Sequence, residues 1–361
     1  MAALSLSALL FSGLSYHGIT PIYFFIFLYF SINFSLKFKL TLRDISLLTL
    51  ISLYGIYGFL NLKDNAYMLD REFIYGPFRS ILAGFQLILT LYYCRSVIFL
   101  YKESEVYKSL FQTYYLRITG LTLFIMTFLY LFFSEFSHTE NGSFQALTHE
   151  SGVAALTLFP FLLLSLIKKR IFFATLAFVA IALTGSTAAI AIGSYIVIAQ
   201  LFRKNLFFIV LFFAATLSCM LIFSPEHLSK IDLLFDPREG DTGGRYASNL
   251  AHISGILDSP YFGTGIESLD IHRARLFNSN SLPFDHGGSD LLRILQDFGI
   301  FFGIFFIFIV RTFLGFNFFN FYCAIPIIIL LILKGVGIYS ISALIPTIFT
   351  LFFLTPPIKR D

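Results

Sequence analysis

Residues 151–184 read SGVAALTLFPFLLLSLIKKRIFFATLAFVAIALT. Two apolar runs, 151–167 and 171–184, are separated only by the basic triplet Lys168-Lys169-Arg170. A helix crosses a bilayer with roughly 17–25 mostly apolar residues, because lipid offers no partner for an exposed backbone N–H or C=O. Two such runs hinged on a tight cationic turn predict a pair of membrane helices with the turn on the cytoplasmic side.

The same pattern extends in both directions. Further apolar runs fall near 2–15, 20–36, 45–61, 78–100, 118–133, 186–202, 205–223, 291–310, 318–333 and 338–354. The chain has 361 residues, 57% of them hydrophobic and only 13% charged, far too few charges to wet the surface of a soluble protein. Its mean hydropathy is +0.81. The fold class expected is an all-α polytopic membrane protein of about 12 transmembrane helices, within a range of 10–12. Residues 1–361 form a single membrane domain. Trp is absent, so Tyr must supply the aromatic belt at the headgroups. The amino-terminal stretch lacks a basic leader and reads as a first helix rather than a cleaved signal peptide.

Twelve spans place every basic connector on one side. These are Lys37, Lys39 and Arg43; Lys102, Lys108 and Arg117; Lys168 to Arg170; Arg203 and Lys204; Arg311; and Lys359 and Arg360. That side is predicted to be cytoplasmic, with both termini on it. The opposite side carries loops at 61–77 and 134–150 and a large loop at 224–289, between the ninth and tenth spans. No basic stripe with interleaved aromatics is present, which argues against a nucleic-acid partner. The three cysteines (Cys94, Cys219 and Cys323) all fall in apolar runs, so the large loop needs no disulfide.

Candidate chemistry concentrates in that loop. Gly243-Gly244-Arg245 precedes a short amphipathic helix predicted over 247–257. A breaker-rich turn follows from Asp258 to Gly265. Arg273 and Arg275 come next, and then His286 leads into the tenth span. With that helix starting near His286, the residues His286, Asp290, Arg293 and Asp297 form one polar stripe. Ionisable groups at a membrane boundary should face protein or a watery cavity. Gly299 and Gly303 form a Gly-x-x-x-Gly suited to close helix packing. His149 and Glu150 lie at the same membrane surface, just before the run at 151–167. As lone residues, each of these could equally be a surface group, a helix cap or one half of a loop ion pair: Arg245 with Asp241, or Arg273 and Arg275 with Asp270 and Glu267.

The order of these pieces resembles the O-antigen polymerase and O-antigen ligase superfamily of bacterial membrane glycosyltransferases. The resemblance rests on Gly-Gly-Arg at 243–245, Ser-Pro-x-x-Gly-x-Gly at 259–265, and His286 before Asp-Leu-Leu-x-x-Leu-x-x-x-Gly-x-x-x-Gly at 290–303. It covers roughly residues 140–305 and agrees with the late position of the large loop. It implies a multi-pass enzyme of the bacterial inner membrane, acting on undecaprenyl-diphosphate-linked oligosaccharide at the periplasmic face. His286 and Arg245 would be catalytic, the histidine as base and the arginine on diphosphate. Arg273, Arg275, His149, Glu150, Asp290 and Arg293 would contact substrate. Histidine suits proton transfer near neutrality, and the planar arginine fork suits phosphate oxygens. Relatives carry Ser-Arg where this chain has Ser186-Thr187, so the diphosphate contact made by that arginine falls here to Arg273, Arg275 or Arg79. No nucleotide sugar is used, and no metal or other cofactor is expected. Besides membrane lipids, the resemblance adds a regulator of chain length as a candidate partner. Polymerase is the favoured expectation. A ligase moving polymer onto lipid A–core, and a flippase for lipid-linked oligosaccharides, remain the alternatives.

Overall fold

The computed structural model describes residues 26, 41–65, 77–132, 151–184, 187–201, 245–277, 289–316 and 341–354. Among them all regular structure is helical. The helices are α1 (Leu42–Asp64), α2 (Phe78–Glu103), α3 (Glu105–Phe132), α4 (Ser151–Ile167), α5 (Ile171–Leu183), α6 (Thr187–Leu201), α7 (Arg245–Asp258), α8 (Leu269–Phe277), α9 (Asp290–Phe313) and α10 (Ile341–Leu354). Four of them, α1, α2, α3 and α9, are long and apolar enough to cross a membrane. Four more, α4, α5, α6 and α10, are apolar but shorter. The chain is therefore a helical membrane protein. Four long helices among the described residues fall short of the twelve spans expected, and the runs at 2–36, 205–223 and 318–333 lie almost wholly outside those residues.

Packing follows composition. α1 lies on α2, α4 contacts α5, α6 and α10, and α10 also reaches α2. The core between them is aromatic and aliphatic. Tyr101 meets Phe352 edge to face at 5.2 Å, and Phe111 stacks on Phe349 at 6.1 Å. Such offset and edge-on geometries satisfy the ring quadrupoles. Phe85, Phe99, Phe124, Phe128, Phe301 and Phe305 point outward and are exposed, as lipid-facing side chains would be.

α2 and α3 correct the sequence reading. Residues 101–117 do not form a basic connector before a span at 118–133. Only Ser104 separates the two helices, in an extended conformation. Its hydroxyl accepts from the Tyr107 amide at 3.2 Å, so the helix restarts at once. Tyr107, Phe111 and Tyr115, four residues apart, then form a buried stripe that hydropathy alone conceals.

The described helices share two chemically distinct ends. At one, Asp44 of α1 pairs with Arg95 of α2, and the Arg95 guanidinium lies 4.5 Å from the centre of the Phe313 ring. Lys102 there donates to the Gly315 carbonyl at 3.1 Å. At the other end, Tyr54 and Asn61 of α1, Arg79 and Ser80 of α2, and the first half of α9 contact residues 264–270 of the large loop. Arg43, Lys102 and Arg311 thus fall at the ends of their helices opposite the loop.

Candidate functional site

The loop is folded where it is described. α7 begins two residues earlier than expected, at Arg245, and α8 follows after the turn at 259–268. The segment Ser259–Gly265 inserts between α1 and α9, and α9 breaks to receive it. Gly299 has φ +74° and ψ 172°, which no helix interior adopts and which L side chains rarely tolerate. This corrects the Gly-x-x-x-Gly reading. Gly299 is a break point that packs on the loop backbone rather than on another helix, and a Cβ on Gly303 would lie 3.4 Å from the Ile294 carbonyl of the same helix.

A broken helix frees backbone groups that lipid cannot satisfy. Here the loop satisfies them. The Thr264 amide donates to the Gln296 carbonyl at 2.8 Å, and the Gly265 amide to the Asp297 carbonyl at 3.0 Å. The Ile300 amide donates to Pro260 at 2.9 Å, and the Tyr54 hydroxyl to the Phe298 carbonyl at 3.2 Å. Loop and broken helix are therefore one unit.

A buried polar cluster lies against this break. Glu267, held at φ 65°, carries the carboxylate that joins two membrane helices. It binds Arg293 of α9, and its second oxygen lies 3.1 Å from Nε of Arg79 on α2. Arg79 also pairs with Asp270 at 2.6 Å. Arg273 donates to the Ser248 hydroxyl of α7 and lies 3.8 Å from Asp270. Breaking a buried pair of this kind costs about 3–5 kcal/mol, because the remaining charge stays in a poor solvent.

Gln296 is the neutral centre of the cluster. Its amide donates to the Ser268 hydroxyl at 3.0 Å, and its carbonyl oxygen meets Nδ1 of His252. Ser268 shares a second hydrogen bond with Thr264 at 2.6 Å. Burial pushes the His252 imidazole down to about 3, helped by the nearby Arg293 charge and opposed by the Gln296 bond. Burial also lowers His272, against the pull of Asp258, whose carboxylate lies 3.2 Å from its Nδ1.

The sequence-predicted residues are distributed unevenly over this structure. Asp290, Arg293 and Arg273 are buried around the cluster. Arg275 is half exposed, 3.3 Å from Asp258 and 3.1 Å from Asn65 of α1, so it joins the loop rim to α1 rather than pairing with Glu267. Arg245 opens α7, the helix that carries Ser248 and His252. His286, His149 and Glu150 lie outside the described residues. The expected helix start near His286 is corrected: α9 begins at Asp290, capped by the Ser289 hydroxyl, while the Ser289 amide donates to Asn249 at 2.9 Å. His286 therefore precedes the helix.

Sequence reasoning missed Gln296, His252, His272 and the bridging role of Glu267. Gln296 stands three residues after Arg293, on the stripe already drawn, but only charged residues were followed there. His252 and His272 sit in the two short loop helices, and a polar residue on an otherwise apolar helix face was the available signal.

Among the described residues no group of three His, Cys, Asp or Glu side chains has an arrangement that would hold a metal ion. The described cluster is instead an arginine–carboxylate assembly at one end of an apolar bundle, its rim opened by Arg275, Asp258 and part of Arg79. The fold defines a multi-pass helical membrane protein, with a buried polar cluster at one end of its described helices. No protein-family model, curated protein or solved structure matches the chain.

Proposed function

We propose that this protein is an O-antigen or capsular polysaccharide polymerase. It joins undecaprenyl-diphosphate-linked repeat units on the periplasmic face of the bacterial inner membrane. The observation that carries this reading is the placement of arginines: Arg79, Arg273, Arg275 and Arg293 gather at one end of the apolar helices, beneath and within a folded loop. A lipid diphosphate presents its charge at that depth, where its hydrocarbon ends and water begins. The reading includes about twelve spans, the loop between the ninth and tenth, and cytoplasmic termini.

In this reaction the acceptor sugar hydroxyl attacks the anomeric carbon of the donor chain. His286 takes the hydroxyl proton, the bond from that carbon to the diphosphate oxygen breaks, and undecaprenyl diphosphate leaves. Arg245 and Arg275 balance its charge. Arg273 and Arg293 keep the loop in register through their carboxylates. His252 serves poorly as the base, because its proton affinity is far too low near neutral pH.

Deleting the gene and separating lipopolysaccharide on a gel tests the reading. A polymerase leaves core carrying one repeat unit, with the ladder gone. Bare core, with polymer retained on undecaprenyl diphosphate, would instead make the protein the ligase of the same superfamily. An unchanged ladder, together with intact capsule, would refute both and bring the flippase forward.

A further inference from the structure

Three helices place the turn of the loop below the membrane surface. Arg43 and Arg311 lie at the ends of α1 and α9 opposite the loop. An exposed arginine such as Arg43 belongs at or outside the hydrocarbon boundary. Along α1, Tyr54 stands eleven residues beyond Arg43, about 17 Å at the helical rise. Along α9, Gly299 stands twelve residues from Arg311, about 18 Å. Along α2, Ser80 stands fifteen residues from Arg95, the partner of Asp44, about 22 Å. A hydrocarbon core is roughly 30 Å thick, and the exposed Lys63 and Asp64 of α1 fall at about that height above Arg43. Tyr54, Ser80 and Gly299 therefore lie inside the apolar layer, about 8–13 Å short of its loop-side face.

The loop reaches down to this level. The Ile266 amide donates to the Tyr54 carbonyl at 3.2 Å, the Ser80 hydroxyl to the Ile266 carbonyl at 2.7 Å, and the Ile300 amide to the Pro260 carbonyl at 2.9 Å. Non-helical backbone survives at such depth only where protein satisfies it. The amides of Ser259, Gly263, Thr264, Gly265 and Ile266 each donate to a carbonyl, and Pro260 has none to donate. Above the turn a polar rim marks the surface: Arg275 bridges Asp258 at 3.3 Å and Asn65, the C-cap of α1, at 3.1 Å.

The side chains at the tip are open and apolar. Tyr261 is 57% exposed and Phe262 65%. Tyr261 stacks at 5.7 Å on Phe301, itself 65% exposed, and Phe262 lies 6.1 Å from Phe302. Phe301 begins the outward face of α9 that Ile304, Phe305 and Phe308 continue. The tip thus extends the surface that the membrane helix turns to lipid. In water the two rings would be a bare apolar patch, whereas acyl chains solvate them without cost. We propose that residues 259–266 form a re-entrant membrane anchor, with Tyr261 and Phe262 seated among the acyl chains of the loop-side leaflet. The anchor holds Glu267 and its arginine partners at a fixed depth. The loop cannot lift as a lid without drawing both rings through the headgroups. The anchor needs only the membrane helices, and it stands whether the protein is a polymerase, a ligase or a flippase.

A single tryptophan reports its own surroundings, and the chain has none. The test places one in the full-length protein as Phe262→Trp, as Tyr261→Trp or, for a lipid-facing reference, as Phe305→Trp. Each variant is held in nanodiscs whose phospholipid is either plain or brominated on its acyl chains. Iodide probes from the water, with free N-acetyltryptophanamide as the aqueous limit. Both tip rings are exposed, so the exchange needs no repacking, and thermal unfolding checks each variant. The expected result is that brominated lipid dims Phe262→Trp and Tyr261→Trp as strongly as Phe305→Trp, while iodide quenches them at least fivefold less than the free amide. Iodide quenching near the aqueous limit, with no effect of bromine, overturns the proposal and returns the turn to water. Quenching by neither overturns it as well, since protein would then cover the tip.

Discussion

Gly263 and Gly299 meet backbone to backbone: a Cβ on Gly263 would fall 2.4 Å from the Gly299 amide nitrogen. Both have positive φ, +71° and +74°. This contact lets a loop segment enter the bundle and satisfy a helix broken within it. Either glycine changed to alanine should destabilise the docked loop by about 1–3 kcal/mol from backbone strain alone, before the steric clash is added. Protease sensitivity of the 224–289 loop in detergent-solubilised protein would report it; unchanged sensitivity would contradict the contact.

Glu267→Gln removes the carboxylate shared by Arg79 and Arg293 while keeping its shape. The expected loss is about 3–5 kcal/mol, because both arginines stay at least partly buried. Asp258→Asn should cost less, since Asp258 and Arg275 are both about half exposed and an amide oxygen can still face Nδ1 of His272. Thermal unfolding of the two variants side by side checks the order, and equal effects would contradict it.

Acid should loosen the loop. His252 and His272 are neutral in the folded protein and lie among Arg273, Arg275 and Arg293, with Asp258 beside His272. In the unfolded chain each histidine gains a proton below about pH 6.5. The folded chain holds off until lower pH, near 3 for His252. The unfolded state therefore binds protons first as pH falls. Stability from these groups is complete above about pH 6.5 and declines below it, by up to about 1.4 kcal/mol per pH unit for His252, with His272 adding in the same direction. Unfolding measured between pH 7.5 and 5 should show the decline, and His252→Gln should flatten it.

Arg275→Ala separates binding from folding. Its exposed pair with Asp258 predicts a stability change below about 1 kcal/mol. Its proposed contact with substrate predicts a raised KM for the lipid-linked donor. A normal KM would remove Arg275 from the site.

The parts of this structure legible in the sequence are those that repeat. Apolar runs gave the helices, including α4 at its full extent. The spacing of Asp290, Arg293 and Asp297 gave a buried polar stripe, and the breaker-rich turn at 258–265 was read as one. What escaped depends on partners distant in the chain. Gly299 reads as a packing glycine until Tyr261 and Gly263 are seen against it. Glu267 reads as one loop acid among several until Arg79, 188 residues earlier, is placed beside it. α3 was cut short because the polar residues on its outer face masked the stripe of Tyr107, Phe111 and Tyr115.

The most direct test of the central claim is reconstitution. Purified protein in nanodiscs, supplied with one undecaprenyl-diphosphate-linked repeat unit, should produce a ladder of lipid-linked oligomers and release undecaprenyl diphosphate in equal steps. His286→Ala, still folded, should slow this about 10²–10⁴-fold. A folded, unaltered protein that lengthens no chain on its source organism's own repeat unit would contradict the account.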